Sequence, residues 1–152
     1  MSITIEVIKH PSEDKRAIGL INRLNDSLTD ISGSNGSKNA DLDDFTQENA
    51  VFIIALDGED AVACGGIRPL FPQICEVKRM FSQEKRKGLG WKILSALEIT
   101  AKQLNYQHIY LETRKTNYNA VAFYMKNGYK VIENYGIYAE NEEAVCFSKE
   151  LK

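Results

Sequence analysis

The sequence predicts an α/β fold in which a mixed, mostly antiparallel sheet carries helices on both faces. The main evidence is a strand at residues 76–81, followed by a glycine turn and by apolar residues at the three-to-four spacing of a helix. A hairpin is predicted where residues 51–56 and 61–67 flank Asp57-Gly58, because Asp-Gly favours the positive φ angles of a tight turn. A strand at 108–112 follows the helix, and a strand reached by a helical crossover pairs parallel to the strand before it.

Composition is typical of one soluble globular domain, predicted to span residues 1–152. The chain is 43% hydrophobic and 26% charged, which suits a packed core and argues against disorder. Its net charge of -2 and pI of about 5.7 argue against general binding to nucleic acid or to an anionic membrane surface. No apolar run has the length of a membrane span and no signal peptide is evident, so a cytoplasmic location is expected.

The cysteines and histidines do not suggest a metal site. Three cysteines lie within or beside apolar runs without the spacing of metal ligands, so buried thiols are predicted at Cys64, Cys75 and Cys146. His10 and His108 are far apart in the sequence, and neither lies near a second candidate ligand. We therefore expect no metal.

The N-terminal part is predicted to form a strand and then a helix. Residues 2–8 alternate in polarity as a half-buried strand does, and Pro11 ends that strand. Ser12 is the expected N-cap of a helix that runs to about Leu28. Its apolar stripe consists of Ala17, Ile18, Ile21, Leu24 and Leu28.

Residues 30–49 form the least regular part of the sequence. A loop of this length in a compact domain is usually either functional or mobile, so a disordered surface loop and a lid over the acceptor site both stay open. A short helix is predicted at 41–48, where burial of Leu42 and Phe45 would anchor the segment. Three aspartates on it would attract a cationic ligand: Asp41, Asp43 and Asp44.

The C-terminal half continues with helices and strands in alternation. Pro69, Phe71 and Pro72 are expected to turn the chain before the strand at 76–81. The following helix has its apolar face at Leu89, Ile93, Leu94, Leu97, Ala101 and Leu104.

A second helix and two closing strands are predicted after the strand at 108–112. The helix spans 119–126, and Gly128 stands as its C-terminal stop. Strands at 129–135 and 144–151 close the fold.

The turn between the central strand and its helix is basic and glycine-rich, with the sequence Lys85-Arg86-Lys87-Gly88-Leu89-Gly90. Glycines let a ligand approach the backbone, and the first turn of a helix offers unpaired N–H groups, so phosphate is the preferred guest. A plain tight turn with a solvated basic corner is the alternative. A nucleotide P-loop is excluded because Trp91 and Lys92 follow the second glycine, and a dinucleotide loop because Ile93 replaces its third glycine.

Two motifs together resemble the GCN5-related N-acetyltransferase (GNAT) family. Lys85-x-x-Gly88-x-Gly90 after a strand resembles that family's Arg/Gln-x-x-Gly-x-Gly/Ala acetyl-CoA loop, with Lys where Arg or Gln is usual. The stretch from Asn119 through Tyr124 to Gly128-Tyr129 resembles its second signature, Asn-x-x-Ala-x-x-x-Tyr on a helix before Gly-Phe/Tyr. The resemblance covers the chain from about residue 51 to its end.

The resemblance implies the GNAT fold, in which the parallel strand pair splays apart and the arm of acetyl-CoA inserts between the strands. Acetyl-CoA is then the expected co-substrate. The residues implied as its contacts are Met80, Phe81, Lys85, Arg86, Lys87, Gly88, Leu89, Gly90, Trp91, Glu112, Thr113 and Asn119, with those on the strands acting mostly through the main chain. A backbone N–H near Met80 or Phe81 would meet the thioester oxygen.

Acetyl transfer to an amine needs a proton acceptor and benefits from a proton donor at the departing sulfur. Glu76 is the predicted base, because its distance upstream of the glycine loop resembles the place where several branches of the family carry a catalytic glutamate. Burial in an apolar strand would raise its carboxyl pKa toward neutrality, as a base acting at pH 7 requires. A structural ion pair with Arg68, Lys78 or Arg79 is the alternative for Glu76. Tyr124 matches the family tyrosine that donates a proton to the sulfur of coenzyme A, and core packing is its alternative.

The predicted acceptor is a primary amine of a small molecule, bound with help from Arg68 and Phe45. Arg68 would bind a carboxylate of the acceptor, or would form an ordinary surface salt bridge. An acetyltransferase for peptide or lysine amines is one rival function, and a non-catalytic acyl-CoA sensor is a rival from another class. A homodimer is expected only by analogy with the superfamily.

Overall fold

A computed structural model describes residues 2–32, 41–83 and 88–152 of the chain. Within these residues, seven strands form one sheet in the order β1-β2-β3-β4-β5-β7-β6. Every neighbouring pair is antiparallel except β4 and β5, which are parallel. The strands are β1 Ile3–Val7, β2 Val51–Asp57, β3 Asp60–Phe71, β4 Ile74–Ser82, β5 His108–Arg114, β6 Lys130–Ile132 and β7 Ala144–Glu150.

In the described part of the chain, three α-helices cover the two faces of this sheet. They are α1 Lys15–Ser32, α2 Leu89–Gln103 and α3 Tyr118–Lys126, and short 3-10 turns occupy Pro11–Glu13, Leu42–Thr46 and Gly136–Tyr138. Strand β2 shows how the faces divide, because its alternate residues enter different cores. Ile53 packs into the core shared with α2 and α3, whereas Phe52 packs into the core shared with α1. The predicted α/β fold with helices on both faces is confirmed.

The start of α1 differs from the prediction. The carboxylate of Asp14 accepts hydrogen bonds from the backbone N–H groups of Arg16 and Ala17, so Asp14 performs the capping predicted for Ser12. Ser12 lies in the preceding 3-10 turn, because Pro11 favours a turn at its start and delays the helix. The helix also faces the core with buried Leu20, while Ile18 is 38% exposed.

Several strand boundaries also differ from those predicted. Strand β3 runs through Pro69, where its pairing with β4 shifts register and so tolerates the missing N–H. The predicted closing strand at 129–135 is confined to Lys130–Ile132, since the chain then leaves the sheet edge toward a 3-10 turn. In β1, Ile5 and Val7 are exposed, although their alternation suggested a buried face.

The structure describes only part of the irregular segment that follows α1. Residues 33–40 lie outside the described part, while residues 42–46 form a 3-10 turn instead of the predicted short α-helix. Asp41 caps this turn by accepting from the Asp43 N–H, and Phe45 is buried against Phe52 with ring centroids 5.3 Å apart. Burial of Phe45 therefore anchors the segment, as the sequence predicted.

Candidate active site

The parallel strands β4 and β5 are paired at only one end. Their register runs from Ile74 opposite His108 to Glu76 opposite Tyr110 and stops there. Both strands continue, β4 to Ser82 and β5 to Arg114, without further pairing to each other in this fully described region. The result is a V-shaped opening whose arms carry main-chain groups that lack a strand partner.

A bulge in β4 lies on one arm of this opening. Cys64 pairs with Phe81 and Gly66 with Lys78, so three steps along β4 match two along β3. Arg79 lies in this bulge and has a positive φ of 60°, which is uncommon for a residue with a side chain of this size. The bulge turns the main chain at Met80 and Phe81, and these two side chains pack into opposite cores.

The glycine turn leads into α2 from the same arm. Gly88 is the N-cap in the left-handed conformation, with φ 81°, which explains why glycine occupies this position. Leu89 is buried, so only its main chain is available to a ligand. A Cβ on Gly90 would stand 3.3 Å from the Phe123 ring, so a larger residue there would need that ring to shift. The predicted contacts Lys85, Arg86 and Lys87 lie outside the described residues.

Trp91 faces a different environment from the V-shaped opening. It is 55% exposed and lines a surface groove of about 980 Å³ between α2 and the end of β7. Ile99 and Lys102 of α2 line the same groove.

Tyr124 lies on α3, beneath the sheet face that α2 covers. Its ring packs against Phe123, Tyr129 and Phe147, with centroids 5.3 to 6.1 Å apart. Burial raises the pKa of its hydroxyl above the ordinary value. No hydrogen bond of this hydroxyl is seen within the described residues, and the raised pKa keeps it protonated at neutral pH.

Glu76 is buried on the opposite sheet face, at the apex of the V. Its Oε1 accepts from Arg68 Nε at 3.2 Å and Nη2 at 3.0 Å, and its Oε2 accepts from the Tyr135 hydroxyl at 2.6 Å. Arg68 also pairs with Asp44 from the 3-10 turn. The ion pair with Arg68 that was the alternative for Glu76 is therefore present, and both carboxylate oxygens have donors.

A second carboxylate stands on the other arm. Glu112 of β5 has a side chain only 8% exposed, and its Oε2 is buried without a hydrogen bond within the described part of the chain. The nearest cation is Arg114, whose Nη1 lies 3.5 Å away and also lacks a hydrogen bond. Burial raises the pKa of Glu112, and the neighbouring Lys78 and Arg114 oppose that shift.

Lys78 lies on β4 two residues after Glu76, and its side chain is therefore on the same sheet face. It is partly buried, and its Nζ donates to the Tyr138 hydroxyl at 2.5 Å while lying 5.2 Å from the centre of that ring. Burial lowers the pKa of Lys78, although Glu76 and Glu112 act in the opposite direction.

An aromatic cluster closes the site on this face. The rings of Tyr135 and Tyr138 pack at 5.6 Å, and Tyr135 contacts Tyr110 at 5.2 Å and Phe71 at 6.4 Å. Beside Glu76 and Lys78, this cluster forms an apolar wall around buried charges.

The spacing of the second signature places its asparagine at Asn117, and not at Asn119. Asn117, Ala120 and Tyr124 satisfy Asn-x-x-Ala-x-x-x-Tyr, and the Asn117 side chain caps α3 by accepting from the Ala120 N–H. Asn119 is exposed on the first turn of α3. Thr113 pairs with Val145 of β7, so its other side faces the V.

The comparisons with known proteins agree with this geometry. A family model described as the acetyltransferase (GNAT) family matches residues 19–129. The chain belongs to this family. Among curated relatives, the uncharacterized protein YdhI of Bacillus subtilis is 41% identical over 56 residues, 37% of this chain and 35% of YdhI. An N-alpha-acetyltransferase of Saccharolobus solfataricus is 32% identical over 74 residues, 47% of this chain and 44% of that protein. The matches thus span less than half the length of these relatives.

Solved GNAT structures share the whole fold. An acetyltransferase of the family from Staphylococcus aureus superimposes with a TM-score of 0.82 at 21% identity, covering 99% of this chain and 100% of that one. The paiA N-acetyltransferase of Thermoplasma acidophilum, solved with coenzyme A, gives 0.78 at 17% identity and 99% coverage of both chains. The likeness establishes the GNAT fold.

Three residues beside Glu76 in the candidate site were not predicted as site residues from the sequence: Lys78, Tyr135 and Tyr138. Tyr135 and Tyr138 are far from β4 in sequence, and the connection between β6 and β7 brings them beside Glu76 and Lys78. The alternation of Glu76 and Lys78 along β4 was a usable signal for Lys78, because residues two apart share a sheet face.

In the described parts of this GNAT chain, no helix is long and apolar enough to cross a membrane. The three cysteines are unpaired and buried, as predicted: Cys64, Cys75 and Cys146. Across residues 2–32, 41–83 and 88–152, no cluster of histidine, cysteine or acidic side chains has the makings of a metal site.

Proposed function

We propose that this GNAT protein transfers the acetyl group of acetyl-CoA to a primary amine of a small molecule. The observation that carries the proposal is the V between β4 and β5, with a glycine-capped helix at one side and, on the opposite sheet face, the carboxylates of Glu76 and Glu112, whose side chains are 1% and 8% exposed. The Thermoplasma relative was solved with coenzyme A, which supports coenzyme A as the carrier. The thioester would supply an activated acetyl group, and the chain's own residues would orient it and manage the protons.

Each part of the site has a separate task in this proposal. The first-turn N–H groups of α2, beginning after Gly88, would hold the pyrophosphate. The bulged main chain at Met80 and Phe81 would orient the thioester oxygen. Tyr124 would give its proton to the departing sulfur, since its raised pKa keeps the hydroxyl protonated at neutral pH.

Two carboxylates compete for the role of base. Glu76, the residue predicted from the sequence, is held by Arg68 and Tyr135 and would have to exchange a donor before accepting a proton. Glu112 has a buried oxygen without a hydrogen bond among the described residues, and its pKa is raised. A base must be ionised to act, so activity should fall as the pH falls through the pKa of whichever residue is responsible.

The pH profile of kcat/KM distinguishes these two residues. Glu112→Gln should remove the acidic limb if Glu112 is the base, and Glu76→Gln should remove it if the sequence prediction holds. An intact limb in both variants would rule out both and indicate a water relay.

The first experiment is calorimetric titration of the protein with acetyl-CoA, followed by assays of coenzyme A release with amines, amino acids and peptides. Tyr124→Phe should lower kcat with little change in acetyl-CoA affinity, because the ring packing remains while the proton donor is lost. Unchanged kcat would remove Tyr124 from the mechanism. Absence of acetyl-CoA binding to the folded protein would refute the proposal.

A peptide acceptor is the second candidate function. One curated relative is named an N-alpha-acetyltransferase, which acts on N-terminal amines by its name, although the match covers 44% of that protein. Turnover of peptides in preference to free small amines would favour this candidate. Tight acetyl-CoA binding without turnover of any amine would instead favour the sensor. The cytoplasmic location expected from the sequence is part of the main proposal.

A further inference from the structure

Lys78 is a partly buried cation at the V, and no carboxylate of the described residues lies within ion-pair distance of it. Its Nζ has no carboxylate within 4.0 Å among residues 2–32, 41–83 and 88–152, and its hydrogen-bond partner is the neutral Tyr138 hydroxyl. Burial penalises a charged ammonium unless an opposite charge or hydrogen bonds compensate. The position is therefore suited to an anion supplied by a ligand.

The nearby carboxylates are directed elsewhere. Glu76 is bound by Arg68 and Tyr135, and Asp44 extends the same ion pair. Glu112 stands on the opposite arm of the V, close enough to influence the titration of Lys78 but nearer to Arg114. The two arms of the V thus present opposite charges on one sheet face, Lys78 on β4 and Glu112 on β5.

We propose that Lys78 and the Tyr138 hydroxyl bind a carboxylate of the acceptor, so that the acceptor is a small amino acid. This inference rests on the acetyltransferase function proposed above and specifies its substrate class. The amine of such an acceptor would lie toward Glu112 and its carboxylate toward Lys78, which matches both charges of a zwitterion. The Lys78 ammonium retains donors for the carboxylate beyond the one given to Tyr138.

Arg68, which the sequence suggested for this task, is poorly suited to it. Its guanidinium already binds Glu76 through two nitrogens and also pairs with Asp44. The carboxylate-binding role therefore moves from Arg68 to Lys78, ten residues along the chain and on the adjacent strand.

The test compares amino acids with their carboxamides, which keep the amine and the side chain but lose the negative charge. Wild-type protein should favour the acid in kcat/KM by roughly ten- to hundredfold, the range for a hydrogen bond between charged groups. Lys78→Met should reduce this ratio to near one, mainly by raising KM for the acid. Lys78→Arg should keep part of the preference. Lys149→Met, which removes a lysine paired with Glu98 away from the V, is the matched control and should leave the ratio unchanged.

The outcomes separate this inference from the proposed function. If wild-type protein acetylates carboxamides as well as acids, or if Lys78→Met lowers both equally, carboxylate recognition by Lys78 is wrong while the acetyltransferase function stands. If no amine is acetylated although acetyl-CoA binds, the proposed function fails. In that case, calorimetric titration of the coenzyme A-loaded protein with an N-acetyl amino acid still tests whether Lys78 binds a carboxylate. Binding of N-acetyl amino acid in wild type but not in Lys78→Met would support carboxylate binding by Lys78, and equal or absent binding in both would overturn it.

Discussion

Removing Arg68 tests whether the ion pair at the apex of the V is structural. Arg68→Met keeps most of the side-chain volume but leaves Oε1 of Glu76, which is 1% exposed, without its two donors at 3.0 and 3.2 Å. Breaking a buried pair in this way costs about 3–5 kcal/mol, because an uncompensated charge stays behind. The lower value, about 3 kcal/mol, applies here, since Tyr135 still donates to Oε2.

Urea denaturation followed by circular dichroism measures this change directly. A loss of about 3 kcal/mol is a large share of the roughly 5–15 kcal/mol that stabilises a typical domain. It should lower Tm by about 6–12 °C in a chain of this size. The double variant Arg68→Met/Glu76→Gln removes the orphaned charge, so its cost should fall below the sum of the two single variants by at least ~1 kcal/mol.

Arg16→Met provides the control for Arg68→Met. Arg16 also binds two carboxylates, but it lies at the surface with a side chain 39% exposed, so water replaces its partners. Its loss should be much less destabilising. A cost for Arg68→Met below ~1 kcal/mol, or one equal to that of Arg16→Met, would refute the argument that Glu76 depends on Arg68.

Three other predictions concern local structure. Asp14→Ala should lower the free energy of unfolding by about 1 kcal/mol in urea titration because it removes the cap of α1, whereas Ser12→Ala should have almost no effect; equal effects would contradict the cap assignment. Gly88→Val should abolish acetyl-CoA binding in calorimetry, while Gly58→Val, with a similar positive φ of 63° in the β2–β3 hairpin, should carry similar strain and still bind. Thiol reagents should label the native protein far more slowly than the unfolded one, because Cys64, Cys75 and Cys146 are buried. Burial raises the pKa of these thiols, to about 12 for Cys64 and Cys75. Rapid labelling of the native protein would contradict their burial.

Much of the fold could be predicted from local signals. Asp57-Gly58 indicated the hairpin, and the apolar spacing after Gly88 indicated α2, because these patterns depend on backbone preferences and on burial of one face. The parallel pairing of β4 and β5 followed from the crossover between them. The cap of α1 was misplaced by two residues because Ser12 and Asp14 are both good caps, and the turn at Pro11 decided between them.

The sequence by itself determined the family motifs, the glycine turn, the buried carboxylate at Glu76 and the tyrosine at 124. The tertiary structure decided what those groups meet. It joined Glu76 to Arg68 and Tyr135, left an oxygen of Glu112 without a hydrogen bond in the described chain, and placed Lys78 beside a neutral hydroxyl. These contacts depend on where β4 and β5 separate and on how the chain returns between β6 and β7. Such long-range packing sets the partners of a buried charge, whereas local sequence sets only that a charge is present.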